Sequence, residues 1–200
     1  MKKIFLCVLG ITLFASAAFA GATHDFMNEV TNAMSSSTSR EQVATQIGTL
    51  FTNERIKELI NSGDDINSKN EYGITVLMMA SAFSNTPEII KTLLKAGADV
   101  NLRDENGANA LMIAAVNTNY PEIITILTNT GIDVNTKAKD GQTALMLAVR
   151  FNKNPDVVRA LINAGADVNA TDSFFFGKNA KDWAKESGAS QEIIKILEGS

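Results

Sequence analysis

Apolar and polar positions recur along this chain in blocks of constant length. The sequence AGADVN appears twice, and the related SGDDIN and TGIDVN appear once each. These four copies end at Asn67, Asn101, Asn135 and Asn169, so each ends 34 residues after the one before. A constant period of this size predicts a stacked repeat protein, because a single unit cannot bury its apolar face alone.

The order of positions inside each unit predicts two helices. A glycine is followed by an alanine-rich apolar stretch, a polar break, a proline with Glu or Asp after it, and a second apolar stretch. Pro87, Pro121 and Pro155 suit the first position of a helix, where the missing N–H costs nothing. Thr86 and Asn154 are good N-caps, whereas Tyr120 is not. Glycines that suit a left-handed helix end close the second stretch at Gly97, Gly131 and Gly165.

The period divides residues 39–200 into one repeat domain. Its predicted parts are an N-terminal cap at 39–67, complete units at 68–101, 102–135 and 136–169, and a C-terminal cap at 170–200. We expect the N-terminal cap to begin with a helix at Ser39, with Gln42 completing a capping box. The C-terminal cap has Lys181 and Asp182 where the complete units have leucine and methionine. A polar outer face is what a terminal repeat needs to stay in solution.

The N-terminal segment predicts export. Residues 1–20 start with a positive Met-Lys-Lys, continue with an apolar run and end in Ala-Phe-Ala, which is typical of a secretory signal peptide cleaved before Gly21. The alternative is an uncleaved membrane anchor, but the run is shorter than the ~20 apolar residues that a spanning helix needs. We therefore expect a periplasmic or secreted protein without a membrane segment after cleavage. Residues 21–38 are predicted to form a short helix and a Ser-rich joint.

Cleavage changes the composition that bears on function. Loss of Lys2 and Lys3 leaves 16 basic and 22 acidic side chains, a formal net charge of −6, and Cys7 is the only cysteine of the chain. A mature chain without cysteine forms no disulfide and no thiolate metal site. The absence of clustered Lys and Arg argues against nucleic acid as a partner.

The repeated motifs resemble those of the ankyrin repeat family. The openings GITVLMMAS, GANALMIAA and GQTALMLAV correspond to the family's G-x-T-P-L-H-x-A-A, and the closing GADVN is nearly verbatim. The resemblance covers roughly Ser39 to Leu197. It implies an all-α ankyrin repeat solenoid of stacked helix-turn-helix units with hairpin tips and polar capping repeats at both ends. The family's proline is replaced by Val76, Ala110 and Ala144, and its histidine by Met78, Met112 and Met146.

The candidate chemistry of the chain is sparse. His24 is the only histidine, so a Ser-His-Asp arrangement would have to use it. No phosphate-binding glycine motif is present, and we expect neither catalysis nor a cofactor. The repeated methionines at 78, 112 and 146 raise Cu(I) binding as an alternative. Equivalent positions of stacked helices are about 8–10 Å apart, too far to share one ion, so core packing is the better interpretation.

The resemblance also implies a concave binding face made of hairpin tips and first helices. Matching positions give the candidates Lys69, Glu71, Tyr72, Ile74, Ala82 and Phe83 in the first complete unit; Arg103, Glu105, Asn106, Ala108, Val116 and Asn117 in the second; and Lys137, Lys139, Asp140, Gln142, Arg150 and Phe151 in the third. Aromatic residues and arginine are enriched at binding hot spots. Phe174–Phe176 either cover the last repeat or expose an apolar patch.

These expectations describe an exported, monomeric, non-catalytic scaffold that binds another protein. It would either regulate or protect an enzyme of the periplasm, or leave the cell and bind host proteins. A metal-buffering protein is the remaining alternative, and a metal titration of the mature chain tests it.

Overall fold

The structure is a computed structural model that describes residues 50–84, 86–152, 154–173 and 177–199. Four sequence predictions lie outside these residues: the signal peptide, the segment 21–38 with His24, the cap helix from Ser39, and Phe174–Phe176. The described residues contain nine helices and no strand. The helices are α1 (Asn53–Asn61), α2 (Val76–Phe83), α3 (Pro87–Lys95), α4 (Ala110–Asn117), α5 (Pro121–Thr128), α6 (Ala144–Phe151), α7 (Pro155–Asn163), α8 (Ala180–Ser187) and α9 (Gln191–Glu198).

The helices form two layers. The first helices of successive units, α2, α4, α6 and α8, pack side by side in chain order. The second helices, α1, α3, α5, α7 and α9, form the other layer in the same way, and each first helix also packs on the second helix of its own unit. The predicted all-α repeat solenoid is therefore confirmed.

The first helices of the complete units, α2, α4 and α6, are buried except at their last turns, because they lie between the second helices and the neighbouring units. Each begins after a side-chain cap, as where Thr75 accepts a hydrogen bond from the Met78 amide at 3.3 Å. A helix that is apolar all round has to be an interior helix. Ala80, Ala114 and Ala148 are fully buried at equivalent positions, and their small side chains let adjacent first helices approach closely.

The second helices are amphipathic, and those of the complete units, α3, α5 and α7, begin at proline. Thr86 accepts from the Glu88 amide at 3.4 Å and Asn154 from the Asp156 amide at 3.0 Å, whereas Tyr120 makes no side-chain cap. The predicted caps, and the predicted failure of Tyr120, are thus confirmed. The glycines expected to end these helices have left-handed backbones, with φ of 91°, 86° and 91° at Gly97, Gly131 and Gly165.

The repeated asparagine joins one unit to the next. Asn67 donates from Nδ2 to the Gly97 carbonyl at 3.0 Å and accepts at Oδ1 from the Asp99 amide at 2.7 Å. Asn135 makes the same pair of hydrogen bonds with Gly165 and Asp167, at 3.1 and 2.7 Å. An amide side chain suits this place because it donates and accepts at once.

The last unit has a polar opening, as its sequence predicts. Asn179 and Asp182 form a reciprocal capping box at the start of α8, with Asp182 exposed where the complete units bury methionine. Lys181 is half-buried beside it. Trp183 is nevertheless buried, and its Nε1 donates to Asp172 Oδ2 at 2.9 Å.

Candidate functional site

The tips of the first two complete units are shaped by an acceptor side chain in the turn before the first helix. Asn70 Oδ1 accepts from the amides of Tyr72 and Ile74 at 3.0 and 2.9 Å. Asp104 takes the same role one unit later and accepts from the Asn106 and Ala108 amides, both at 2.8 Å. Short side chains of Asn and Asp fold the backbone back on itself in this way.

Consecutive tips are tied together through their backbones. The Glu105 amide donates to the Tyr72 carbonyl at 3.0 Å, and the Lys139 amide donates to the Asn106 carbonyl at 2.9 Å. At the last junction the Ser173 amide donates to the Asp140 carbonyl at 3.0 Å. The side chains of Glu71, Glu105, Asn106, Lys139 and Asp140 lie exposed along this row of tips.

Three of the candidate cations help to stack the units. Lys69 Nζ donates to the Arg103 carbonyl at 2.9 Å, and the Arg103 guanidinium donates to the Lys137 carbonyl at 3.1 Å. Lys137 Nζ continues the series with the Thr171 carbonyl at 2.7 Å. Each cation therefore has one donor committed within the chain, although Arg103 and Lys137 remain exposed.

Ile74 and Gln142, which the sequence predicts on the concave binding face, are buried instead. They are only 3% and 4% exposed, because the tip turns inward after its glycine and carries the following residue into the interior. Gln142 Nε2 donates to Asp140 Oδ2 at 2.8 Å, and Gln142 Oε1 is buried without a hydrogen bond among the described residues. Three further positions selected from the sequence are also buried: Ala82, Ala108 and Val116.

The last turns of α2, α4 and α6 present half-buried side chains at equivalent positions. Phe83 and Phe151 pack partly against the core, as does Tyr72 at the first tip. Asn117 lies between the two phenylalanines in the repeat and donates from Nδ2 to the Ile113 carbonyl at 3.0 Å. Because α2, α4 and α6 are neighbours in one layer, these residues line one face of the repeat array.

A cluster around Trp183 adds residues that sequence reasoning missed. The Arg150 guanidinium lies 4.1 Å from the Trp183 ring centre and 4.8 Å from that of Phe151. Lys178 Nζ lies 4.7 Å from the Trp183 ring centre and pairs with Glu186. Burial lowers the pKa of Arg150, against the opposing effect of nearby carboxylates. The sequence feature that could have indicated this cluster is Trp183, the only tryptophan in the chain, because it stands in a unit that is otherwise predicted to be a polar cap.

Asp104 supplies a pH-dependent prediction. Burial raises the pKa of its carboxyl above the ordinary value, although backbone hydrogen bonds from Ala108 and Asn106 oppose the change. The folded state therefore holds its proton more tightly than the unfolded state, and stability falls as pH rises through the interval above 3.8. Asp104→Asn keeps the acceptor oxygen without the charge and should raise the unfolding free energy at pH 7 by about 0.5 kcal/mol, a small gain because the backbone hydrogen bonds to the carboxylate offset much of the effect of burial.

Urea unfolding of Asp104→Asn at pH 7 and at a pH below the ordinary Asp value checks this expectation. The gain should disappear at the lower pH, where the wild-type carboxyl is also protonated. The reciprocal change Asn70→Asp, at the equivalent position one unit earlier, should destabilise the chain at pH 7. A gain for Asp104→Asn that is equal at both pH values would contradict the assignment.

The described residues contain no group of three or more His, Cys, Asp or Glu side chains placed to hold a metal ion. The repeated methionines are core residues, with Met78 and Met112 each 1% exposed and Met146 fully buried. Within the part of the chain that the structure describes, every helix is too short or too polar to cross a membrane.

Comparison with known families agrees with this geometry. The family model for "Ankyrin repeats (3 copies)" matches three overlapping stretches of the chain, residues 44–138, 84–172 and 131–198. These stretches begin nine residues before α1 and end with the last residue of α9. A search of curated proteins found no significant match.

Proposed function

Because the chain belongs to the ankyrin repeat family, whose members are generally protein-interaction scaffolds, we propose that it binds a partner protein. The binding surface would consist of the exposed tips together with the half-buried side chains at the ends of α2, α4 and α6. We name this the tip and first-helix surface; its members are Glu71, Tyr72, Phe83, Arg103, Glu105, Asn106, Asn117, Lys137, Lys139, Asp140, Arg150 and Phe151.

One observation carries the proposal. The backbone hydrogen bonds between consecutive tips hold an exposed row of mixed charges in fixed register, at 3.0, 2.9 and 3.0 Å. Binding to a rigid surface avoids much of the entropy cost of ordering loops. Aromatic and arginine side chains beside that row supply the residue types that anchor interfaces.

Ankyrin repeat proteins are typically not enzymes, and we propose that this chain acts without catalysis. Its export is also a proposal, supported by the basic start, apolar run and Ala-Phe-Ala of residues 1–20. Mass spectrometry of the protein from its native host checks the cleavage directly, since the mature N-terminus should be Gly21. The partner would be a periplasmic enzyme that the scaffold regulates or protects, or an external protein if the scaffold leaves the cell.

Crosslinking in the native host tests the binding surface. The full-length chain with a C-terminal tag would be crosslinked in each compartment, and its partners quantified by mass spectrometry. The double variant Glu105→Arg with Asn117→Arg places two bulky cations on the tip and first-helix surface of the central unit. We expect it to reduce crosslinking of the partner by about tenfold or more, as loss of a hot spot does.

The matched control puts the same changes on the opposite layer of the same unit. Glu122→Arg with Thr125→Arg alters two exposed residues of α5 and should leave partner crosslinking intact. Equal capture by both double variants would show that the tip and first-helix surface is the wrong one. A dominant periplasmic enzyme among the lost partners would favour regulation or protection, whereas accumulation of the protein in the medium would favour an external partner.

A further inference from the structure

Arg150 places its guanidinium over two aromatic rings. Its Cζ lies 4.1 Å from the Trp183 ring centre and 4.8 Å from that of Phe151. Contacts over ring faces stabilise the cation but use none of its five N–H donors. Among the described residues Arg150 forms no hydrogen bond and no ion pair, although it is only partly exposed.

The carboxylates near Arg150 already serve other donors. Asp140 accepts from Gln142 at both oxygens, at 3.0 and 2.8 Å. Asp172 accepts from the Lys178 amide at 3.0 Å and from Trp183 Nε1 at 2.9 Å. Glu186, the third, pairs with Lys178. These acids influence Arg150 through space, and none of them lies within ion-pair distance of its guanidinium.

A second arginine, in the unit's outer layer, shows the contrast. Arg159, on the outer layer in α7, donates to Asp156 at 2.6 Å and to Glu192 at 2.7 Å. Both terminal nitrogens of its guanidinium thus have carboxylate partners within the chain. Arg150 carries the same charge and is more buried than Arg159, but its guanidinium N–H donors make no hydrogen bond among the described residues. Such a guanidinium can bind a carboxylate through two parallel hydrogen bonds.

We propose that Arg150, held by Trp183 and Phe151, binds a carboxylate of the partner protein, supplied by an exposed aspartate or glutamate. The inference rests on the proposed scaffold function and adds the chemistry that the partner presents. A carboxylate fits better than a neutral acceptor because it pairs with the planar fork and offsets the burial of the cation. Among the three complete units only the third has an arginine at the position of Arg150, since the equivalent residues of the preceding units are Ala82 and Val116.

An array of short synthetic peptides of known but varied sequence tests the proposal. The full chain would be applied to the array. Each acidic peptide that it retains would then be compared with a version in which Asn replaces Asp and Gln replaces Glu. We expect wild type to prefer the acidic member of each pair by about tenfold or more, the usual scale for a hydrogen bond to a charged group. Trp183, the only tryptophan, should change its emission when the acidic peptide binds.

Two variants separate the guanidinium from general charge. Arg150→Gln should remove both the acid preference and the change in Trp183 emission. Arg159→Gln removes the same charge from a satisfied arginine and should keep both. The alanine and valine at the equivalent positions of other units indicate that the fold tolerates loss of Arg150, and circular dichroism of each variant checks this.

The outcomes distinguish failure of the carboxylate site from failure of the scaffold function. Acid preference that is lost in Arg150→Gln and kept in Arg159→Gln supports the carboxylate site. Peptide binding without acid preference, or with a preference that survives Arg150→Gln, overturns the carboxylate site and leaves the scaffold function standing. Failure of wild type to retain any peptide counts against both.

Discussion

Gly141→Ala is expected to lower the free energy of unfolding by about 3–4 kcal/mol, combining a positive-φ penalty with overpacking. Gly141 has φ of 80°, in the region that L side chains rarely adopt. A Cβ there would also run into the amide nitrogen and Oγ of Ser173, and would lie 2.9 Å from the Asp172 carbonyl carbon. Most of these atoms are backbone of the next tip, which is held by the hydrogen bond from the Ser173 amide to Asp140.

Two other glycines separate the causes of that loss. Gly165 has φ of 91° and no atom within 4 Å of a built Cβ, so Gly165→Ala should cost only the backbone term, about 1–2 kcal/mol. Gly107 is intermediate, since its Cβ would lie 3.1 Å from the Lys139 amide nitrogen. Urea unfolding of the three variants should therefore rank them 165, 107, 141 in increasing loss. Equal losses at 165 and 141 would contradict the overpacking contribution and show that the next tip moves aside without cost.

The sequence was sufficient for features that depend on local chemistry. Pro87 and Thr86 start a helix through groups within three residues of each other, and a glycine such as Gly97 ends it through its own backbone. The repeat period extends such local signals to the whole array. Nine helix positions, and the caps at Thr86 and Asn154, could be anticipated for this reason within the described part of the chain.

The surface could be predicted only in part because it depends on contacts between units. The position after the tip glycine is occupied by isoleucine, alanine or glutamine, so its residue type gives no indication that Ile74 and Gln142 are both buried. The hydrogen bond from Lys69 to the Arg103 carbonyl joins residues one period apart, and no local pattern reports it. The same is true of Arg150 and Trp183, whose contact forms only when the last two units stack.

Leu111→Ala is the second large effect that we expect, with a loss of about 3 kcal/mol in the free energy of unfolding. Leu111 is 1% exposed in α4, which packs between α2 and α6 in the first-helix layer. Removal of its side chain would leave a hole that neighbouring helices fill only in part. Because each unit of a repeat array contacts only its neighbours, a defect in the central unit weakens the coupling on both sides.

That coupling gives Leu111→Ala a second consequence besides the loss of stability. In urea, the transition should broaden, because the units before and after α4 would begin to unfold separately, and the dependence of unfolding free energy on urea should fall. Ile126→Ala is the matched control in the same unit, since Ile126 is only partly buried in α5 and its loss should cost about 1 kcal/mol without broadening. A transition that stays as steep in Leu111→Ala as in wild type would show that the array unfolds as one body, with coupling between units stronger than the defect.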